Sequence, residues 1–178
     1  MNRIFYVIDA DDRIESVSGP WDAFAAENGA PALTAANVVG RPLAEFITDL
    51  TTAHIYQRLV SRVREEDRTV PLSLRCDGPE CRRWLRLTLH PLAGRRVRFE
   101  SRVVREEARE PVALLDRAIP RAGDPVLICS WCDSVHTSHG WRQLEAGVPE
   151  LGLFEGRLPP PITHGICPAC ASDYDIAG

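Results

Sequence analysis

Alternation of apolar and polar positions predicts three strands in the first hundred residues. The period of two recurs at 70–74 and 85–89, where every second residue is Val or Leu, and again through Val97, Phe99 and Val103. This pattern is typical of an antiparallel sheet with one buried face. Two further strands are predicted at 4–9 and 13–18, on either side of a turn.

A helical period marks one long segment and one short one between these strands. Within 51–66, apolar side chains recur at the spacing of one helix face, at Tyr56, Leu59, Val60 and Val63. A shorter helix is predicted at 21–28, with Gly29 as its left-handed cap. This order of elements predicts an α+β fold, in which helices lie on one face of a five-stranded antiparallel sheet.

Several local motifs of residues 1–107 resemble those of PAS domains, which are sensory or interaction modules. They are Tyr6-Val-Ile-Asp9, Trp21-Asp-Ala-Phe24, Glu27-Asn28-Gly29, Val39-Gly40-Arg41-Pro42-Leu43, Phe46-Ile47, Leu74-Arg-Cys-Asp77 and Arg82-Arg83. The resemblance implies a small ligand or a protein partner, and dimerisation through this domain. It also implies a ligand pocket that includes His54 and Tyr56, because the long helix of some PAS proteins contributes a haem ligand. The alternative for His54 is an ordinary, partly exposed helix histidine.

Two Cys-x2-Cys pairs stand near the C-terminus, Cys129 with Cys132 and Cys167 with Cys170. A two-residue gap lets one tight turn present both sulfurs to the same ion, and two such turns complete the tetrahedron that zinc accepts from four thiolates. The spacing therefore predicts one structural zinc ion that stabilises a small C-terminal module. Buried or redox-active thiols are the alternative interpretation, and an iron–sulfur cluster remains open from sequence.

His164 precedes the second pair and is a fifth candidate ligand. It could replace one cysteine, but four cysteines already close a structural site. A hydrogen bond to a thiolate from outside the ligand set is therefore favoured.

The cysteine pairs also belong to a longer resemblance. Ile128-Cys-Ser-Trp-Cys132, Gly140-Trp141 and His164-Gly-Ile-Cys-Pro-Ala-Cys170 together resemble a small module at the C-terminus of some bacterial PAS-containing and response-regulator-like proteins. Gly147 and Pro149 interrupt the segment that would be a helix in that module, and Pro159–Pro161 stiffens the return, so the conformation of 142–163 stays open. The predicted organisation is a PAS-like domain at 1–107, a connector at 108–125 and a zinc-binding module at 126–178.

Cys76 and Cys81 flank the predicted hairpin turn between two strands. If they lie opposite each other, a disulfide is geometrically possible. Two reduced thiols are favoured, since cytosolic reductants keep thiols reduced.

Charge and hydropathy exclude several partners. The chain of 178 residues has a net charge of −4, and residues 126–178 carry two arginines against six acidic side chains. Nucleic acid is therefore not an expected partner, because duplex binding depends on basic side chains that neutralise phosphates. No apolar run is long enough to cross a bilayer and no secretion signal is evident, so a cytoplasmic location is expected.

Nothing in the sequence indicates catalysis. The sequence has no evident Ser/His/Asp set, phosphate-binding glycine loop or paired carboxylates at helical spacing. The leading hypothesis is a non-enzymatic bacterial signalling protein, whose PAS domain senses a ligand or partner and whose zinc module docks a protein. The alternatives are a redox or metal sensor that uses the zinc thiolates and a zinc-ribbon nucleic-acid-binding regulator.

Overall fold

The computed structural model describes residues 3–47, 49–116, 118–153 and 158–173. The chain divides into two compact units, Met1–Ser73 with Leu85–Val103 and Leu74–Trp84 with Val104–Gly178. The tip of one hairpin thus belongs with the C-terminal residues. The predicted division at 107 and 125 stays a prediction, and its last module includes residues 154–157 and 174–178, which lie outside the described ones.

Five strands form an antiparallel sheet in the order β2-β1-β5-β4-β3. They are β1 (Arg3–Ile8), β2 (Ile14–Val17), β3 (Val70–Arg75), β4 (Cys81–Leu92) and β5 (Arg96–Ala108). β1 pairs antiparallel with β2 and with β5. The apolar positions of the predicted period lie inward, with Leu72, Leu89, Val97 and Phe99 almost fully buried. The predicted α+β fold with a five-stranded antiparallel sheet is confirmed.

Helices cover one face of this sheet. They are α1 (Trp21–Glu27), α2 (Ala35–Val38) and α3 (Leu50–Glu66). Tyr6 stacks on its cross-strand neighbour Phe99, with ring centroids 4.6 Å apart. Trp21 of α1 meets the Tyr6 ring edge-on at 6.0 Å, and Tyr56 of α3 stacks on Phe99 at 6.0 Å. Both helices therefore pack on the same aromatic face.

Local signals explain where α1 ends and where α3 begins. Gly29 has a positive φ of 72° just after α1, as the sequence predicts for a left-handed cap. Asp49 precedes α3, and its side chain accepts a hydrogen bond from the Thr52 amide at 2.7 Å. This contact satisfies one of the amides that the first turn of a helix leaves without a partner.

The second unit contains a smaller sheet in the order β8-β7-β6-β9. Its strands are β6 (Val126–Cys129), β7 (Val135–Thr137), β8 (Gly140–Arg142) and β9 (Ile162–Gly165), and its helices are α4 (Leu144–Glu150) and α5 (Pro168–Asp173). β6 pairs antiparallel with β7 and parallel with β9. The parallel pairing brings the ends of β6 and β9 side by side.

An apolar core of its own supports this second unit. Its buried members are Val112, Leu114, Ile128, Val135, Leu144 and Val148. Val112 and Leu114 come from the predicted connector 108–125, which therefore contributes side chains to this core. This core adds to the stability that metal binding is predicted to supply.

The segment whose conformation the sequence leaves open contains α4, with both Gly147 and Pro149 inside it. A Cβ at position 147 would lie 2.0 Å from Val135 Cγ1. Glycine is thus required for the close approach of α4 to β7. Among the described residues, no helix has both the length and the hydropathy to cross a membrane.

Candidate metal centre

The first cysteine pair lies on the turn that connects β6 to β7. Cys129 ends β6, and its amide donates to the carbonyl of Ser134 at 2.8 Å, while the Asp133 amide donates back to the Cys129 carbonyl at 3.1 Å. Asp133 closes the turn with a φ of 57°, a left-handed conformation that Asp tolerates better than most residues. The tight turn leaves Cys129 buried and Cys132 partly exposed.

The second pair lies where β9 leads into α5. Because Cys129 pairs with Gly165 in the parallel register, Cys167 follows two residues beyond the aligned strand ends. Cys167 Sγ accepts a hydrogen bond from the Cys170 amide at 3.4 Å, as a helix N-cap side chain does. Pro168 begins α5, a position at which proline costs no hydrogen bond.

These two turns bring all four sulfurs together. The Sγ atoms of Cys129, Cys132, Cys167 and Cys170 all lie within 4.8 Å of one another. Those of Cys132 and Cys167 are 3.8 Å apart. Zinc–sulfur bonds of about 2.3 Å in a tetrahedron imply a sulfur–sulfur separation of about 3.8 Å, so the donor set fits a zinc-sized ion.

Hydrogen bonds and burial shift the pKa values of Cys129, Cys132 and Cys170 in different directions. The pKa of Cys132 is lowered to about 4, chiefly by its hydrogen bond with Cys129 and further by Ser134, although burial opposes the shift. The same hydrogen bond and burial raise the pKa of Cys129. Burial, followed by the hydrogen bond with Cys167, raises the pKa of Cys170 to about 12. The Cys132 thiolate is thus favoured before a metal ion binds, and binding must displace the protons of Cys129 and Cys170.

Residues beside the thiols also shape the turn, and no sequence motif predicted them. Ser134 is buried and its hydroxyl lies 3.1 Å from Cys132 Sγ. Burial raises the pKa of Asp133 to about 6, although the Asp77 amide donates to its carboxylate and opposes the shift. Asp77 and Asp133 are 56 positions apart, so no local spacing pattern could have connected them.

The other predicted site residues lie elsewhere. His164 is exposed in β9, where it pairs with Ile128, and it is not one of the four clustered residues. Its role beside the thiolates stays a prediction. His54 is exposed on α3. Tyr56 lines a cavity of about 50 Å³ together with apolar side chains that include Leu43, Ile47 and Val60.

Cys76 and Cys81 are not cross-strand partners, which corrects the expected geometry. The Cys76 amide donates to the carbonyl of Arg83, and the Gly78 amide donates to that of Cys81. The register therefore offsets the two cysteines by two residues. No disulfide joins these two described residues.

Comparison with known proteins gives little beyond this geometry. No protein-family model matches the chain, and no curated protein matches it either. A domain of an HTR-like protein from Haloarcula marismortui is similar in structure, with 16% sequence identity and a TM-score of 0.43 over 58% of this chain and 98% of that one. A similarity at that level does not indicate a function.

Proposed function

We propose that this chain is a non-enzymatic signalling protein, in which one zinc ion held by four cysteines stabilises a docking module. The observation that carries the proposal is the clustering of four sulfurs within 4.8 Å. Four protein ligands complete the tetrahedron of zinc and leave no position for water or substrate, as in structural rather than catalytic sites.

The N-terminal domain would supply the signal. Its resemblance to PAS domains and its five-stranded sheet support a sensory or interaction role. The cavity beside Tyr56 holds about 50 Å³, whereas small-molecule sites usually measure about 300–1,000 Å³. This cavity is therefore too small for a drug-sized ligand, and a protein partner, including a second copy of this chain, is the proposed signal.

A redox-sensing role for the same thiolates is the alternative. Cys132 and Cys170 are partly exposed, which favours access of an oxidant, while Cys129 and Cys167 are buried. Release of the metal by mild peroxide before the protein unfolds would support this alternative.

The acidic C-terminal segment argues against nucleic acid as the partner, and a salt-independent failure to retard labelled DNA or RNA would agree.

Elemental analysis and native mass spectrometry of the full chain, purified without added metal, test the proposal. We expect one zinc per chain and loss of that zinc in Cys132→Ser. The matched control is Cys76→Ser, which changes a cysteine outside the cluster and should keep its zinc. Iron with inorganic sulfide, or a folded second unit without any metal, would refute a structural zinc site. The same spectra report dimers.

A further inference from the structure

The tip of the β3–β4 hairpin contacts the turn that carries the first two cysteines. We propose that this tip, residues 74–84, is coupled to the metal centre without supplying a ligand, so that zinc binding and hairpin docking form one linked equilibrium. The inference rests on the proposed zinc site and adds a regulatory contact to it. The tip and the turn lie in the same compact unit.

Backbone groups make the first connection. β3 is an edge strand of its sheet, and edge strands present unpaired amides to whatever covers them. The Arg75 amide donates to the carbonyl of Trp131 at 2.7 Å, and the Asp77 amide donates to Asp133 Oδ2 at 3.0 Å. Two alternate amides of the hairpin are thus satisfied by the two residues that flank Cys132.

The Asp77 carboxylate makes the second connection, and its side chain is fully buried. It accepts hydrogen bonds from the Arg109 guanidinium at 3.0 Å and from the Arg83 amide at 3.1 Å, and it forms a close ion pair with Arg75. A buried carboxylate is tolerated only when such partners compensate its lost hydration. Removing its charge would leave Arg109, which is 3% exposed, without a buried counterion at Asp77.

Arginines of the same network reach the start of α4. Arg82 Nε donates to Glu145 Oε1 at 2.7 Å, and Arg109 Nη1 lies 3.2 Å from the same oxygen. Arg75 Nη1 donates to Gln143 Oε1 at 3.4 Å. The hairpin is therefore tied both to the metal-binding turn and to the helix that packs on β7.

Linkage follows from these contacts. If zinc fixes the turn 130–133 in the conformation that accepts the two hairpin amides, zinc favours the docked hairpin. By thermodynamic reciprocity, a partner that pulls the hairpin away must lower the affinity for zinc by the same factor by which zinc lowers the affinity for that partner. Because β3 and β4 continue from this tip into the five-stranded sheet, the tip is covalently continuous with that sheet, and hydrogen bonds join it to the turn that carries Cys132.

Amide hydrogen exchange of the wild-type chain, with zinc alone and then with a chelator, tests the linkage. We expect chelation to deprotect residues 74–84 together with 129–134, and to leave α3 unchanged. Deprotection of 129–134 with full protection of 74–84 would refute the linkage while leaving the zinc site intact. Absence of bound zinc in the wild type would instead refute the proposed function itself.

Asp77→Asn supplies a second, independent readout. We expect one zinc to bind still, with an affinity about tenfold lower in chelator competition, as is usual when a group that orients metal ligands is altered. Asp116→Asn is the matched control, because Asp116 only caps an exposed turn through the Ala118 amide. Equal zinc affinity and unchanged hairpin protection in Asp77→Asn would overturn the inference.

Asp133→Gly separates a specific contact from general damage. Glycine accepts the left-handed φ of 57° at this position and removes only the carboxylate that bonds the Asp77 amide. We expect a smaller fall in zinc affinity than in Asp77→Asn and faster exchange of the Asp77 amide. If Asp77→Asn fails to fold, this variant and the wild-type exchange experiment still decide the question, and unchanged exchange at Asp77 contradicts it.

Discussion

The two units of this chain are stabilised by different means. The first has an apolar interior, in which Phe99 lies between two tyrosine rings and the helices α1 and α3 contact that stack. The second has an apolar core that includes Ile128, Val135 and Leu144, to which it adds the clustered thiols and the fully buried carboxylate of Asp77. A small unit buries little apolar surface, so buried ion pairs and the proposed zinc ion would add to the stability of its core.

Removal of the metal should give the largest effect, confined to the second unit. Metal binding is worth up to about 10–16 kcal/mol in zinc-finger peptides, and the apolar core of this unit should retain part of its stability. We expect Cys129→Ser, or chelation, to remove most exchange protection from β6 and α5 while α3 keeps its own. Equal loss of exchange protection in both units would mean that the chain unfolds as one cooperative body. The two units would then not be stabilised independently.

Phe99→Ala should produce the opposite pattern. Phe99 is fully buried, and truncation of such a side chain typically costs about 3–5 kcal/mol. The variant should lose protection in α3 and β1 but still bind one zinc. Phe5→Ala is the control, since Phe5 is only half-buried, and its loss should be clearly smaller. Loss of zinc from Phe99→Ala would show that the metal site depends on the first core.

Gly147→Ala tests the packing of the second unit without touching the metal. The added Cβ would lie 2.0 Å from Val135 Cγ1, and such overpacking typically costs about 1–3 kcal/mol. We expect a lower melting temperature of the zinc form with unchanged zinc stoichiometry. Gly19→Ala is the matched control, because a Cβ there meets no atom within 4 Å. Equal melting of the two variants would show that β7 yields freely to α4.

The sequence predicted the features that repeat locally. Alternation placed Leu72, Leu89 and Phe99 on the buried face, and the Cys-x2-Cys spacing predicted two turns with paired sulfurs. Both signals arise from backbone geometry over a few residues, so they can be detected without knowledge of the fold.

Contacts between distant segments could not be predicted in this way. The bond between the Asp77 amide and Asp133 joins residues 56 positions apart, and polar pairs of this kind have no periodicity. Gly147 and Pro149 both have low helix propensity, yet both lie inside α4. The absence of a side chain at 147 lets the helix approach Val135 closely. Tertiary packing outweighs helix propensity there.

Asp49→Ala should give the smallest of these effects and test how local the first unit's stability is. The Asp49 carboxylate accepts from the Thr52 amide at 2.7 Å and so caps α3; loss of a cap typically costs about 1 kcal/mol. Asp49→Asn is the control, since asparagine caps as well as aspartate. We expect faster exchange in the first turn of α3 in the alanine variant alone, with zinc affinity unchanged. α3 contributes Tyr56 to the stack on Phe99, so a loss of exchange protection that spreads to β5 would mean that helix and sheet unfold together. A loss of protection confined to residues 50–53 would mean that the aromatic stack holds the rest of α3 without its cap.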